Sequence, residues 1–223
     1  MTGKVRVDHA VSSGTFSLDG ETHEVDNNIW VVGDDTECVV IDAPHSISDI
    51  LALVGDRKVR AILLTHAHDD HCRVAPALRE EVVAPIMLHP DDKVLWDLTH
   101  TDNVWDVDLH DGFEINVGDT TLRALHTPGH APGAVCFYAP DLGCVFTGDT
   151  LFQGGPGATG RSHSDEDVIV ASIRATLFVL PAETVVHTGH GDDTTIGAER
   201  ELAAAQAVRA SLARRLPGEE MVP

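Results

Sequence analysis

Short apolar runs punctuated by glycine, aspartate and proline recur along this chain, with amphipathic stretches between them, so each run has the length of a strand or of one face of a helix. Asn28–Val32 and Glu37–Ile41 read as strands joined at Gly33-Asp34-Asp35. Arg60–Thr65 (RAILLT), Ile86–His89, Phe113–Val117, Thr121–Leu125, Ala134–Tyr138, Cys144–Thr147 and Thr184–Thr188 read as further strands, with a hairpin turn at Gly118-Asp119. Ser46–Val54 places Ile47, Ile50, Leu51 and Val54 on one helical side. Val74–Glu81, Asp165–Leu180 and Ala198–Leu216 also read as helices. Strands precede helices twice over, which predicts a single domain over residues 1–223 with two β-rich halves and helices packed outside. At 223 residues the chain can bury such a core without staples.

Fifteen basic against thirty-six acidic residues give a formal charge of −21, which argues against nucleic acid and anionic membranes as partners. No segment approaches the roughly 20 apolar residues of a membrane span. The opening MTGKVRVDHAVSSG lacks the apolar stretch of a signal peptide, so a cytoplasmic protein is expected. Cys38, Cys72, Cys136 and Cys144 have neither CxxC nor metal-ribbon spacing; Cys136 and Cys144, in apolar runs, read as buried thiols. The C-terminal helix (ELAAAQAVRASLARRL) is expected to pack on the domain, and could also pair two copies as a homodimer.

Histidine is the unusual residue, at fourteen. Few roles in a cytosolic protein call for so many side chains that titrate near neutral pH, and metal ligation is foremost among them. Six consecutive residues, His66-Ala67-His68-Asp69-Asp70-His71, follow the RAILLT strand. In extended backbone His66 and His68 leave the same face, and Asp70 and His71 begin the next turn. That density of imidazole and carboxylate suits two divalent ions rather than one. A lone His-x-His would read as readily as polar residues at a helix N-terminus, where Asp69 and Asp70 favour the dipole.

Three later segments end an apolar run with a potential ligand beside glycine: Thr127-Pro128-Gly129-His130, Thr147-Gly148-Asp149-Thr150 and Thr188-Gly189-His190-Gly191. Glycine lets backbone approach a site closely, and loops at strand ends present side chains from a rigid scaffold. Each alone is an ordinary turn; together with the first cluster they point to one metal site.

The ordered set THAHDDH, TPGH, TGDT and TGHG, preceded by Val40-Ile41-Asp42, resembles the metallo-β-lactamase superfamily over Asn28 to Gly191. The resemblance implies an α/β fold, a four-layer αββα sandwich with a metal cleft at one edge. It implies that His66, His68 and His130 hold one ion, that Asp70, His71 and His190 hold a second, and that Asp149 bridges them. The ions would be divalent, zinc foremost, with iron or manganese as alternatives. A metal-bridging hydroxide would attack a carbonyl, with Asp70 orienting it. Asp42 would either orient a histidine ligand or cap a turn.

Departures narrow the group. Antibiotic-degrading members carry cysteine where Asp149 stands, oxygen-reducing di-iron members carry glutamate where His68 stands, and nuclease members engage polyanions. Asp149 with TPGH and GDTLF resembles instead the hydroxyacylglutathione hydrolase (glyoxalase II) group and its short relatives, including a type associated with mycothiol. Too few residues follow His190 for that group's helical C-terminal domain. The resemblance implies hydrolysis of a thioester of a small thiol. Alternatives are a sulfur (persulfide) dioxygenase with one iron on His66, His130 and Asp149, and a non-catalytic metal-binding sensor. Phe152–Ser164 (FQGGPGATGRSHS) reads equally as a backbone cradle over the site and as a surface loop. Arg161 is expected to meet a substrate carboxylate or to form a salt bridge, and His163 is a second candidate substrate contact.

Overall fold

Alternation along Asn28–Val32 sends Ile29 and Val31 to one side and Trp30 and Val32 to the other, and each set lands in a different apolar core. The computed structural model describes residues 3–215 and makes this segment the end of a long strand. β1 (Arg6–Leu18) and β2 (Glu21–Gly33) form an antiparallel hairpin, followed by β3 (Glu37–Ile41), β4 (Lys58–Leu63), β5 (Ile86–Leu88) and β6 (Val107–Asp108) in one six-stranded sheet of order β1-β2-β3-β4-β5-β6. β3 to β6 run parallel, so each link is a crossover. The crossovers carry helices α1 (Ile47–Val54), then α2 (Asp69–Cys72) with α3 (Ala75–Val82), then α4 (Lys93–Thr99). Ser46 caps α1, its Oγ accepting from Asp49 N at 3.2 Å.

The second sheet contains β7 (Glu114–Val117), β8 (Thr120–His126), β9 (Val135–Ala139) and β10 (Cys144–Gly148). β11 (Leu151–Phe152) and β12 (Gly155–Pro156) form a separate small hairpin. After α5 (Glu166–Ser172), β13 (Val185–Thr188) and β14 (Thr194–Thr195) complete the second sheet in the order β14-β13-β10-β9-β8-β7. The last helix, α6, spans Ile196–Arg215.

Three apolar layers separate four structural ones. Ile29, Val31, Val40 and Ile62 pack under α1, α3 and α4 with Ile50, Leu78 and Trp96. Trp30, Val39, Ile41 and Leu63 meet Leu122, Phe137 and Phe146 between the sheets. Cys136, Val145 and Val186 meet Ile169, Ile173 and Ile196 beyond the second sheet. This is the expected αββα sandwich.

The sequence reading overlooked β1 and the first half of β2. Most of their side chains are exposed or half-buried, so apolar content gives little signal there. Asp19-Gly20 marks their turn, both residues having positive φ (54° and 80°), as a type I′ hairpin requires. The predicted helix over Asp165–Leu180 is α5 followed by a π-helical turn at Ile173–Leu177. Of the predicted Ala198–Leu216 helix, Leu216 lies outside the described residues. All four cysteines are buried and unpaired, and none of the described helices is long and apolar enough to cross a membrane.

Asp92 joins two loops that matter below. It is fully buried, accepting from Ala67 N at 2.8 Å and from Gly133 N. Burial pushes its carboxyl up to about 7, against the lowering effect of these two donors. An acid with a raised native pKa stabilises the fold most below its unfolded value, and that contribution is lost as pH rises from about 4 to about 7. Asp92→Asn removes the titration and leaves one N–H facing an amide N–H. Its expected cost is about 1–2 kcal/mol at pH 5, narrowing by pH 8; urea unfolding at the two pH values measures it.

Candidate metal centre

Loops at the ends of β4, β8, β10 and β13 converge at one edge of the sandwich. The loop after β4 carries His66 and His68, and α2 begins at once with Asp70 and His71 in its single turn. Gly148, at φ 48°, ends β10 so close to Thr65 that a Cβ there would lie 2.6 Å from the threonine Cβ. A Cβ on Gly189 would lie 2.8 Å from His71 Cε1 and would strike Asp149 Oδ1. These glycines are therefore what let Asp149 and His190 reach the β4 loop.

The seven predicted ligand residues come together. His66 Nε2 lies 3.0 Å from His68 Nδ1, and His130 Nε2 lies 3.1 Å from that same atom. On the other side His71 Nε2 and His190 Nε2 are 3.2 Å apart, with Asp70 Oδ2 at 3.6 Å and 3.3 Å from them. Asp149 reaches both groups: Oδ1 is 3.3 Å from His71 Nε2, and Oδ2 is 3.6 Å from His130 Nε2 and 3.5 Å from His190 Nε2. His66, His68, Asp70, His71 and His130 are all buried.

Outer contacts put a proton on Nδ1 of four of the five rings. His71 Nδ1–H donates to Asp42 Oδ2 at 2.8 Å, because a carboxylate only accepts. Thr65 Oγ1–H donates to the same oxygen at 2.8 Å, leaving its oxygen to accept from His66 Nδ1–H at 3.1 Å. His130 Nδ1–H donates to Ala158 O and His190 Nδ1–H to Asp26 O, at 2.8 and 2.7 Å. Four rings thus turn Nε2 inward, at one another and at two carboxylates, where each offers a lone pair to a cation once the ring is neutral. The carboxylate oxygen Asp149 Oδ1 and His68 Nε2 are buried with no hydrogen-bond partner.

Such an arrangement needs positive charge at its centre. Tetrahedral ligands about 2.0–2.1 Å from an ion stand ~3.3 Å apart, close to the separations found here. Without metal, protons supply part of that charge. Burial lowers the His190 imidazole, but Asp149 and then Asp70 raise it further, to about 10. Burial, then His130, push His68 down to about 3. Burial raises the Asp70 carboxyl, but His71, His190 and Asn27 outweigh it and bring it to about 2. The first three histidines are thus held neutral and the second group is held cationic. The residues fit two divalent ions.

Asp42 sits at φ 63°, a left-handed conformation that non-glycine residues adopt at a cost. Its Oδ1 accepts from Thr65 N at 2.8 Å while Oδ2 serves His71 and Thr65 Oγ1. Both expected roles, orienting a histidine and pinning a turn, belong to the one side chain.

A cleft of about 370 Å³ opens over the centre, walled by Phe16, Val25, Phe152 and Arg161 among others. The Arg161 guanidinium carbon lies 5.0 Å from the Phe16 ring centre, a cation–π contact at the mouth. His163 does not reach the cleft wall: it is exposed at φ 68°, beyond Ser162, whose N donates to Asp19 Oδ2 at 2.9 Å. Within Phe152–Ser164, Gly157 is buried against Asp149 and Ala158 O accepts from His130, so this part backs the site, while Gly160 to His163 are exposed.

Residues 24–190 match the metallo-beta-lactamase superfamily. The chain belongs to that superfamily. A Bacillus subtilis relative named "Probable metallo-hydrolase YqgX" is 33% identical over 190 residues, 78% of this chain and 89% of that one. The Haemophilus influenzae "Hydroxyacylglutathione hydrolase GloC" is 29% identical over 187 residues, 77% and 87% of the two chains. Among solved structures, TTHA1623 in a di-iron-bound form is 34% identical with a TM-score of 0.71, covering 86% of this chain and 98% of that one. The B3 metallo-beta-lactamase BLEG-1 is 29% identical with a TM-score of 0.73, covering 85% and 97%.

Sequence reasoning missed the cleft residues on the overlooked hairpin, Phe16, His23, Val25 and Asp26, and Asn27 beside Asp70. The Asp19-Gly20 turn was the signal that could have found them. His89, Asp91 and His126 form another cluster. The two rings stack at 4.0 Å and 9°, and parallel rings so placed cannot aim in-plane lone pairs at one ion.

Proposed function

We propose that the chain is a binuclear metallo-hydrolase that cleaves thioesters of a small thiol. The observation that carries this reading is the set of inward lone pairs, divided into two ligand groups with Asp149 in reach of both. Two divalent ions held there supply Lewis acidity and a water acidified to a pKa of about 7. His66, His68 and His130 hold the first, Asp70, His71 and His190 the second, and zinc is the preferred ion.

The chain's own groups do the rest. In this reading Asp70, whose carboxyl stays ionised, would orient the attacking hydroxide. Phe16 and Phe152 line the cleft beside the reacting group and exclude bulk water from it. A leaving thiolate, with a conjugate pKa near 8.5, needs no strong acid, and the metal-site motifs provide no dedicated one. The likeness to GloC supports a hydroxyacyl-type thioester, while the thiol carrier is left to assay.

Arg161 binds a carboxylate of the substrate in this reading. It is exposed, so its contribution is of the order of 1 kcal/mol. Arg161→Ala is expected to raise KM about five-fold and leave kcat within two-fold, the pattern of a lost uniform binding contact. Steady-state kinetics check it.

The test of the function is metal content by elemental analysis with a panel of glutathione- and mycothiol-linked acyl thioesters. Two ions per chain with thioester cleavage are expected. One iron per chain with dioxygen uptake on a persulfide would overturn the reading in favour of a dioxygenase; bound metal with no turnover would favour a sensor.

A further inference from the structure

Asn27 lies on β2 with 1% of its surface exposed, and its amide end stands inside the second ligand group. The amide atom placed there as Nδ2 is 3.0 Å from Asp70 Oδ2, 3.3 Å from His71 Nε2 and 3.4 Å from His190 Nε2. Those three atoms are themselves 3.2, 3.3 and 3.6 Å apart. Six separations this similar make the four atoms corners of a nearly regular tetrahedron, whose centre is ~2.0 Å from every corner, the length of a zinc–nitrogen or zinc–oxygen bond.

An NH₂ group suits that corner poorly. With both rings neutral, as cation binding requires, it would offer two hydrogens to three acceptors, and it has no lone pair for a cation. An amide oxygen has lone pairs, and the two ends of an amide are alike in shape. The opposite end is 2.8 Å from His45 Nε2, an atom that can donate to Oδ1 or accept from NH₂ depending on tautomer. Turning the amide therefore keeps the His45 contact and brings oxygen to that corner.

We propose that Asn27 is a further protein ligand of the second ion, through its side-chain oxygen, with its NH₂ donating to His45 Nε2. The proposal rests on the two-ion reading above. It makes the N-terminal hairpin part of the metal site, where Phe16 and Val25 of that hairpin also wall the cleft. Because the amide is neutral, it adds a ligand without adding to the negative charge of Asp70 and Asp149.

The full chain, stripped by chelator, is titrated with zinc against a chromophoric competitor, and the zinc-loaded wild type is crystallised. In Asn27→Ala the second binding step is expected to weaken at least about tenfold with the first unchanged. In the crystal the amide should stand about 2.0–2.2 Å from the second ion. An unchanged second step, or an amide more than about 3 Å from a filled second site, overturns the proposal alone. A single ion in wild type overturns the two-ion reading along with it. If circular dichroism shows that Asn27→Ala is unfolded, the zinc-loaded wild-type structure decides.

Discussion

Asp42→Ala is expected to destabilise the chain by roughly 3–5 kcal/mol and to weaken binding of the second ion by about 10- to 100-fold. Three donors converge on this carboxylate: Thr65 N, Thr65 Oγ1 and His71 Nδ1. All belong to buried residues, and alanine leaves them without an acceptor. An alanine at φ 63° adds about 1 kcal/mol of backbone cost. Asp42→Asn separates the two effects. Thr65 N can only donate, so the amide oxygen must face it, and the NH₂ then faces His71 Nδ1. To accept, His71 must lose its Nδ1 proton and carry one on Nε2, where the second ion would bind. The expected loss of stability is smaller, about 1–2 kcal/mol, while metal binding falls as far as in the alanine variant. Urea unfolding in chelator and a zinc titration measure the two separately. Equal zinc affinity in Asp42→Asn and wild type would remove Asp42 from the control of His71.

The residues that were legible in the sequence share a property: each follows an apolar strand and adjoins glycine or a second ligand. His66, His68, Asp70 and His71 are close in sequence, and His130, Asp149 and His190 each follow the glycine that admits them. Fold class was equally legible, because β3, β4, β9 and β10 bury nearly all their side chains and read as apolar runs. The first hairpin was not. Along β1 only Val11's neighbour Ser12 and then Phe16 are buried, and the strand is held by backbone pairing to β2, which leaves no mark in composition. Asn27 fell in that gap. Its role depends on Asp70, His71 and His190, residues far away in sequence that only the tertiary fold brings to it. Asp42 was legible as a residue but ambiguous in role, since one carboxylate serves both a turn and a histidine. His163 shows the converse: proximity in sequence to Arg161 did not carry it into the cleft, because the chain turns away at its positive φ.

Asp149→Ala is expected to lower kcat/KM for thioester cleavage by about 10³ or more, the loss of several kcal/mol of transition-state stabilisation. Asp149 is the carboxylate that reaches both ligand groups, through Oδ1 to His71 and Oδ2 to His130 and His190. Without it, three imidazoles remain for the first ion and the second group loses a negative charge, so metal content should fall from two ions toward one. The fold itself should tolerate the change. Asp149 Oδ1 accepts no hydrogen bond, and the backbone at this point is set by Gly148 and by the close approach of Gly157. Burial disfavours the Asp149 anion, but His71 and His190 outweigh burial and hold its carboxyl well below the usual range, so alanine removes their counter-charge, at a smaller cost than Asp42→Ala, which strands three buried donors. In chelator the unfolding midpoint of Asp149→Ala should fall below that of wild type by less than in Asp42→Ala, and turnover assayed well below that midpoint assigns the lost activity to chemistry rather than to unfolding. Arg161→Ala, by contrast, acts on KM from the mouth of the same cleft. If Asp149→Ala keeps two ions and cleaves thioesters within tenfold of wild type, the ligand groups work independently, and joint action of two ions on one substrate is wrong.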